Sequence, residues 1–167
     1  MPHLGMAYNY ARWIVKDEAA AQDIVQESCL RAFKGVHRIE RDRARGWLLT
    51  IVRHESYDWL SKSVGHGHHA DIDDEETLSP EDRLTLSHGD TPEHFVMKLQ
   101  DKALLEKALL ELPAGFREVL ILKEQEEMSY QEIAKVIGAP IGTVMSRLAR
   151  GRAQLKKLLA GAHNAKR

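Results

Sequence analysis

Polar side chains recur along one face of a helical segment near the end of the chain, and each of them can donate a hydrogen bond. They are Thr143, Ser146, Arg147, Arg150, Gln154 and Lys157, with Arg152 and Lys156 at the flanks. The other face carries an apolar stripe at three- and four-residue steps, namely Val144, Leu148, Gly151, Leu155 and Leu158. Solvated helix faces usually mix acids with bases, but this face has no acid. Because guanidinium groups bond guanine edges and hydroxyls bond phosphates, the pattern predicts a surface for duplex DNA.

The residues before this helix predict a partner helix and a tight turn. Ser129 and Glu132 form the S-x-x-E pattern of a capping box, which opens a helix. Gly138 permits the left-handed backbone of a short turn, and Pro140 suits the start of the next helix. Small Ala134 would let the two helices cross closely. Together these signals predict a helix-turn-helix over about residues 129–159.

Charge is distributed unevenly along the 167 residues, although the formal net charge is only −1. Residues 1–65 hold 10 Lys and Arg against 8 Asp and Glu, whereas residues 66–101 hold 2 against 10. Residues 128–167 carry 8 basic side chains and one acid, Glu132. This segregation predicts a polyanionic partner for the C-terminal part.

His66, His68 and His69 stand beside a run of acids, so a zinc or other divalent site is conceivable on composition alone. Glycines surround these histidines and no regular element fixes their geometry, so we expect no metal and no cofactor.

The chain lacks the G-x-x-x-x-G-K and H-E-x-x-H patterns, and we expect no enzymatic activity. Cys29 is the single cysteine and is expected to be unreactive. With no apolar span and no signal peptide pattern, we expect a cytoplasmic protein without membrane insertion.

Helical periodicity predicts an all-α fold with two small helical domains joined by a flexible acidic linker. Three amphipathic helices near residues 4–15, 18–34 and 43–62 predict an N-terminal bundle, with Phe33 on the buried face of the second and Trp47 in the core. A helix starting at Thr91-Pro92 and a short helix over 115–123 precede the helix-turn-helix. The predicted domains are 1–65 and 92–167, with 66–91 as the linker.

Two sets of motifs resemble a known family. The segments LPAGFREVL (112–120), MSYQEIA (128–134) and PIGTVMSRL (140–148) resemble region 4 of the extracytoplasmic-function (ECF) sigma factors. The segments DIVQESCLRAF (23–33), ARGWLLTIVR (44–53) and YDWL (57–60) resemble region 2 of the same family. The resemblance covers all but the linker.

The resemblance implies a bacterial transcription initiation factor whose partners are core RNA polymerase, promoter DNA and commonly an anti-sigma factor. It implies contacts to the promoter −35 element by Thr143, Ser146, Arg147, Arg150, Arg152 and Gln154. It implies recognition and melting of the −10 element by Arg53, His54, Asp58, Trp59 and Lys62. It implies polymerase binding by Asp23, Gln26, Glu27, Arg31 and Lys34.

Two residues depart from the family pattern. His54 stands where Asn is common, and Gly151 replaces an alanine at a cost of about 1 kcal/mol in helix propensity.

Two other functions stay open on the sequence. One is a stand-alone helix-turn-helix regulator in which residues 1–65 form a sensor or dimerisation domain, and the other is a metal-dependent nuclease that uses His66, His68 and His69. The acidic linker has two possible roles, imitation of nucleic acid within the polymerase or service as a solvated tether. Trp59 also has two, as a residue of the hydrophobic core or as a platform on which a base stacks.

Overall fold

A computed structural model describes residues 3–35, 41–63 and 102–165. The helices are α1 (Leu4–Val15), α2 (Glu18–Gly35), α3 (Arg41–Ser63), α4 (Lys102–Glu111), α5 (Ala114–Leu120), α6 (Tyr130–Ile137) and α7 (Ile141–Ala165), with a π-helical turn, Ile121–Gln125, extending α5. Every regular element in these ranges is helical, which confirms the predicted all-α class. Among the described helices, none has the length and apolar character needed to cross a membrane. The predicted linker, the helix start at Thr91-Pro92 and the three histidines lie outside the described residues.

The N-terminal bundle forms as predicted, with α1, α2 and α3 each packed against the other two. Tyr10 of α1 and Leu49 of α3 are fully buried in its core. Trp47 and Trp59 are half-buried and pack against the same core. The Trp47 ring lies so close to Gly35 that a Cβ atom there would be 2.9 Å from Trp47 Cζ2. A side chain at position 35 would therefore displace the Trp47 ring where α3 crosses the end of α2.

The helix-turn-helix is also confirmed, with its boundaries set by local hydrogen bonds. The Glu132 N–H donates to Ser129 Oγ at 3.2 Å, and the Ser129 N–H donates to the Glu132 carboxylate at 2.7 Å. Gly138 ends α6 in the left-handed conformation, with φ of +67°. The Pro140 carbonyl then accepts the N–H groups of Thr143 and of the residue after it, which begins α7. The capping residues thus account for both helix ends at the turn.

The predicted stripe of α7 packs against α5, with Val144, Leu148 and Leu155 buried. Gly151 is buried in the middle of this contact. A Cβ atom there would be 3.2 Å from Leu120 Cδ1 and 3.3 Å from Phe116 Cβ. The departure from alanine therefore has a packing reason, since glycine lets α7 approach α5 closely.

The N-terminal and C-terminal halves also pack against each other. Helix α1 contacts α5 and its π-helical extension, and α3 contacts α6. No sequence pattern predicted this interface. It decides which of the predicted site residues are accessible.

Candidate DNA-binding and polymerase-binding surfaces

The five residues of α2 that the resemblance assigns to polymerase binding share one exposed face. They are Asp23, Gln26, Glu27, Arg31 and Lys34. Two large apolar side chains are exposed beside them, Leu30 by 58% and Phe33 by 57%. The prediction that Phe33 is buried was wrong. Phe33 follows the buried Ile24 by nine residues, which is two and a half helical turns, so it lies on the opposite side of α2.

Charged side chains surround the exposed Leu30. Arg31 Nε donates to the Glu27 carboxylate at 3.1 Å, and Arg31 Nη1 lies 2.5 Å from the Glu55 carboxylate of α3. The hydrogen bond from Arg31 to Glu27 and the charge of Glu55 raise the pKa of Arg31 above its ordinary value. An apolar centre with a charged rim is the usual anatomy of a protein–protein interface.

The predicted −10 residues divide into two groups at the end of α3. His54, Asp58 and Lys62 are exposed, and Trp59 is half-buried against the bundle core. Arg53 instead points toward the C-terminal half, where its guanidinium bonds an acid of α5. The structure therefore separates Arg53 from the exposed side of α3.

On α7, the predicted −35 residues Thr143, Ser146, Arg147, Arg150 and Gln154 share one side of the helix, as the helical repeat requires. Arg152 does not lie with them, because it follows Thr143 by nine residues and so faces the opposite side. Arg152 Nη2 donates to the Glu124 carboxylate at 2.7 Å, within the C-terminal half. Arg152 is therefore paired within the C-terminal half and lies apart from the other predicted −35 residues.

The residue that sequence reasoning missed most clearly is Glu118 of α5, whose side chain has no exposed area. Its carboxylate accepts a bidentate pair of hydrogen bonds, from Arg53 Nε at 2.9 Å and from Arg53 Nη2 at 3.1 Å. The Tyr10 hydroxyl donates to the same carboxylate at 3.2 Å. Arg147 Nη1 lies 3.9 Å from Glu118 Oε1. One buried acid thus connects both halves of the protein.

The pKa shifts around Glu118 follow from burial and from its negative charge. Burial raises the pKa of Tyr10 and of Tyr57, and the charge of Glu118 raises both further. Burial alone would lower the pKa of Arg53, but the hydrogen bonds and charge of Glu118 outweigh it and raise the pKa. The Arg53 guanidinium therefore stays charged inside the interface.

Arg117, beside Glu118, is the second missed residue and is also buried. Its Nε donates to the Trp13 carbonyl at 2.6 Å and its Nη1 to the Leu112 carbonyl at 2.6 Å. Longer contacts reach the carbonyls of Ile14 at 3.3 Å and Leu110 at 3.4 Å. These carbonyls lie at the C-terminal ends of α1 and α4, where a cation is favoured. The available signal was two adjacent opposite charges within an otherwise apolar short helix.

The described residues thus form a helical protein that has a helix-turn-helix and a second helix with exposed apolar side chains. Residues 1–64 match the family described as Sigma-70 region 2, and residues 102–155 match the family described as Sigma-70, region 4. The RNA polymerase sigma factor YlaC of Bacillus subtilis is 30% identical over 138 residues, which are 82% of this chain and 76% of that protein. The ECF RNA polymerase sigma factor SigW of the same organism is 30% identical over 141 residues, which are 83% of this chain and 75% of that protein.

A solved structure is similar over almost the whole chain. It is that of the sigma factor RpoE in complex with the anti-sigma factor NepR from Bartonella quintana, with a TM-score of 0.65 and 26% identity over 94% of this chain and 91% of that one. The chain belongs to the ECF RNA polymerase sigma factors. It is a promoter-specific transcription initiation factor, and the match of both halves does not favour a stand-alone regulator.

Proposed function

We propose that this sigma factor binds core RNA polymerase through α2, contacts the −10 element with the end of α3, and contacts the −35 element with α7. The observation that carries the proposal is the donor-rich side of α7, which has no acid and lies on the second helix of a helix-turn-helix. Such a helix fits the major groove, where arginine recognises guanine by two hydrogen bonds.

The polymerase contact is proposed for the exposed side of α2. Leu30 lies at its centre and Gln26, Glu27, Arg31 and Lys34 surround it. A large apolar side chain exposed on a folded helix gains free energy when a partner covers it, and the charged rim then determines which partner fits.

The −10 contact is proposed for His54, Asp58, Trp59 and Lys62, together with Arg53 once it is released from Glu118. Their exposed side of α3 combines cations with an aromatic ring, the groups that hold extruded or single-stranded bases. His54 replaces the asparagine common in the family and supplies a different donor pattern there.

We also propose the division of labour among three segments, with residues 1–65 for the polymerase and −10 element, 66–91 as an acidic linker, and 92–167 for the −35 element. The protein acts as a non-enzymatic subunit in the cytoplasm. Because the similar RpoE structure contains the anti-sigma factor NepR, we propose an anti-sigma partner for this chain as well.

The test is promoter-specific transcription with core polymerase and paired variants. Arg150→Ala should lower transcription from −35-dependent promoters by about 5- to 150-fold, since loss of a bidentate base contact costs about 1–3 kcal/mol. Polymerase affinity should not change. Arg152→Ala is the matched control because it removes the same charge from the opposite side of α7.

The converse test is a double variant that combines Gln26→Ala and Arg31→Ala, and it should lower the affinity for polymerase. Gln22→Ala, at the edge of α2, is its control. If Arg150→Ala lowered polymerase affinity while −35 dependence persisted, the assignment of α7 would be wrong. If the double variant bound polymerase as well as the wild type, α2 would be removed from the interface.

A further inference from the structure

Glu118 joins two residues that the proposed function assigns to different DNA elements. Arg53 belongs to the −10 group and comes from the N-terminal half, whereas Arg147 belongs to the −35 group and comes from α7. Both guanidinium groups lie within 4 Å of the Glu118 carboxylate, at 2.9 and 3.9 Å respectively. While Arg53 holds this bidentate contact, its Nε and Nη2 groups are occupied by Glu118 and are not available to DNA.

Weaker contacts surround this buried centre and link the same two halves. Asn9 Nδ2 donates to Gln125 Oε1 at 2.7 Å, and Lys16 Nζ donates to the Leu110 carbonyl at 2.5 Å. Arg12 Nη1 lies 3.2 Å from the Glu106 carboxylate, and both side chains are about one-third exposed or more. Exposed pairs of this kind contribute little to stability, so the buried bonds of Glu118 and of its neighbour Arg117 dominate the polar contacts between the halves.

The packed arrangement conflicts with simultaneous contact to both promoter elements. The −35 and −10 positions are about 25 base pairs apart, or about 85 Å along B-DNA at 3.4 Å per base pair. A compact chain of 167 residues has a radius of gyration of about 15 Å and a diameter of about 40 Å. The two halves must therefore separate before both elements are bound.

We propose that Glu118 is the latch that holds the two halves in this packed arrangement. Opening releases Arg53 for DNA and exposes the Glu118 carboxylate to water on the surface of the C-terminal half. The two states differ by a discrete exchange of partners, which is the requirement for a two-state element. The DNA roles of Arg53 and Arg147 rest on the proposed function, but the latch itself does not.

The experiment measures the distance between the halves in the free, full-length protein. Nitroxide labels are placed on α2 and α7 through Gln22→Cys and Lys156→Cys, both exposed positions, in a Cys29→Ser background. Glu118→Gln keeps the size of the side chain and removes its charge. We expect the ratio of open to closed molecules to rise by about tenfold or more, since breaking a buried ion pair from one side is costly. Glu111→Gln, an exposed acid on α4, is the charge-matched control and should leave the distribution unchanged.

Tyr10→Phe is the second variant, because it removes only the hydroxyl that bonds Glu118 and leaves every charge in place. Tyr10→Phe should also raise the ratio of open to closed molecules, but by a smaller factor. It replaces Glu118→Gln as the test if circular dichroism shows that Glu118→Gln has lost helix content. Distance distributions identical to wild type in both folded variants would overturn the latch. Binding of the free protein to a promoter duplex is measured in parallel. Opening without tighter DNA binding would support the latch and overturn the proposed DNA roles of Arg53 and Arg147.

Discussion

Arg117 should be among the side chains most costly to replace, although it takes no part in either proposed DNA contact. The replacement to test is Arg117→Met, which keeps a long unbranched side chain and removes every donor. It leaves the carbonyls of Trp13 and Leu112 without the 2.6 Å bonds that join the ends of α1 and α4. Both halves of the protein lose a partner in the same substitution.

The expected cost follows from these two short bonds. A hydrogen bond from a charged donor contributes about 1.5–3 kcal/mol, so the pair accounts for about 3–6 kcal/mol. Burial already lowers the pKa of Arg117, so the charged form carries a desolvation cost that methionine avoids. We therefore expect a net loss of about 3–4 kcal/mol, a large part of the 5–15 kcal/mol typical of a folded protein. Arg117→Lys should lose less, since one ammonium can retain one of the carbonyls.

Urea denaturation followed by circular dichroism measures the loss. Arg12→Met is the matched control, because Arg12 also bridges the halves but its contact to Glu106 is partly exposed, at 33% and 41% of the two side chains. The control should lose about 1 kcal/mol or less. If Arg117→Met cost no more than Arg12→Met, the assignment of Arg117 as the connection between two helix ends would be refuted.

Three further predictions concern local features. Gly151→Ala should not raise the stability of the protein by the roughly 1 kcal/mol expected from helix propensity, because the added Cβ would crowd α5. Gly161→Ala should raise the stability, because a Cβ there meets no neighbour within 4 Å. The melting temperatures of the two variants measure the difference. The hydrogen bonds from Ser129 lower the pKa of Glu132, so its capping contribution is present above its ordinary pKa near 4.5 and is lost as the pH falls through the lower folded value. Glu132→Gln should reduce the dependence of stability on pH in this acidic range. An acid unfolding curve identical to that of the wild type would contradict the capping role of Glu132. Leu30→Ala should weaken polymerase binding without lowering the melting temperature, because the side chain is already exposed; a lower melting temperature with unchanged binding would show a structural role.

Local signals were sufficient to predict the helices and the helix-turn-helix. The capping box at Ser129, the left-handed turn at Gly138 and the spacing of Val144, Leu148 and Leu155 each act within a few residues, so the chain around them encodes their structure. The donor-rich side of α7 follows from the same helical repeat. Its prediction needed no knowledge of the rest of the fold.

Residues whose environment depends on distant contacts could not be predicted in this way. Glu118 meets Arg53 across 65 positions and Tyr10 across 108, so no periodicity connects them. Phe33 was assigned to the buried face from helical spacing, and that assignment was wrong because Phe33 lies on the opposite side of α2. Arg152 was grouped with the −35 residues through the resemblance, and its pairing with Glu124 lies on the other side of α7. Sequence patterns thus predicted the donor-rich side of α7 and the charged side of α2. They did not predict the interface between the two halves, in which Arg53 contacts Glu118.

The central claim is that this protein directs core RNA polymerase to particular promoters, and run-off transcription over a genomic DNA library tests it most directly. Reactions contain bacterial core polymerase with or without the full-length protein. The account predicts transcripts that depend on the protein and begin downstream of a shared pair of −35 and −10 sequences. Transcripts identical with and without the protein, together with tight sequence-specific binding of the protein alone to duplex DNA, would contradict it.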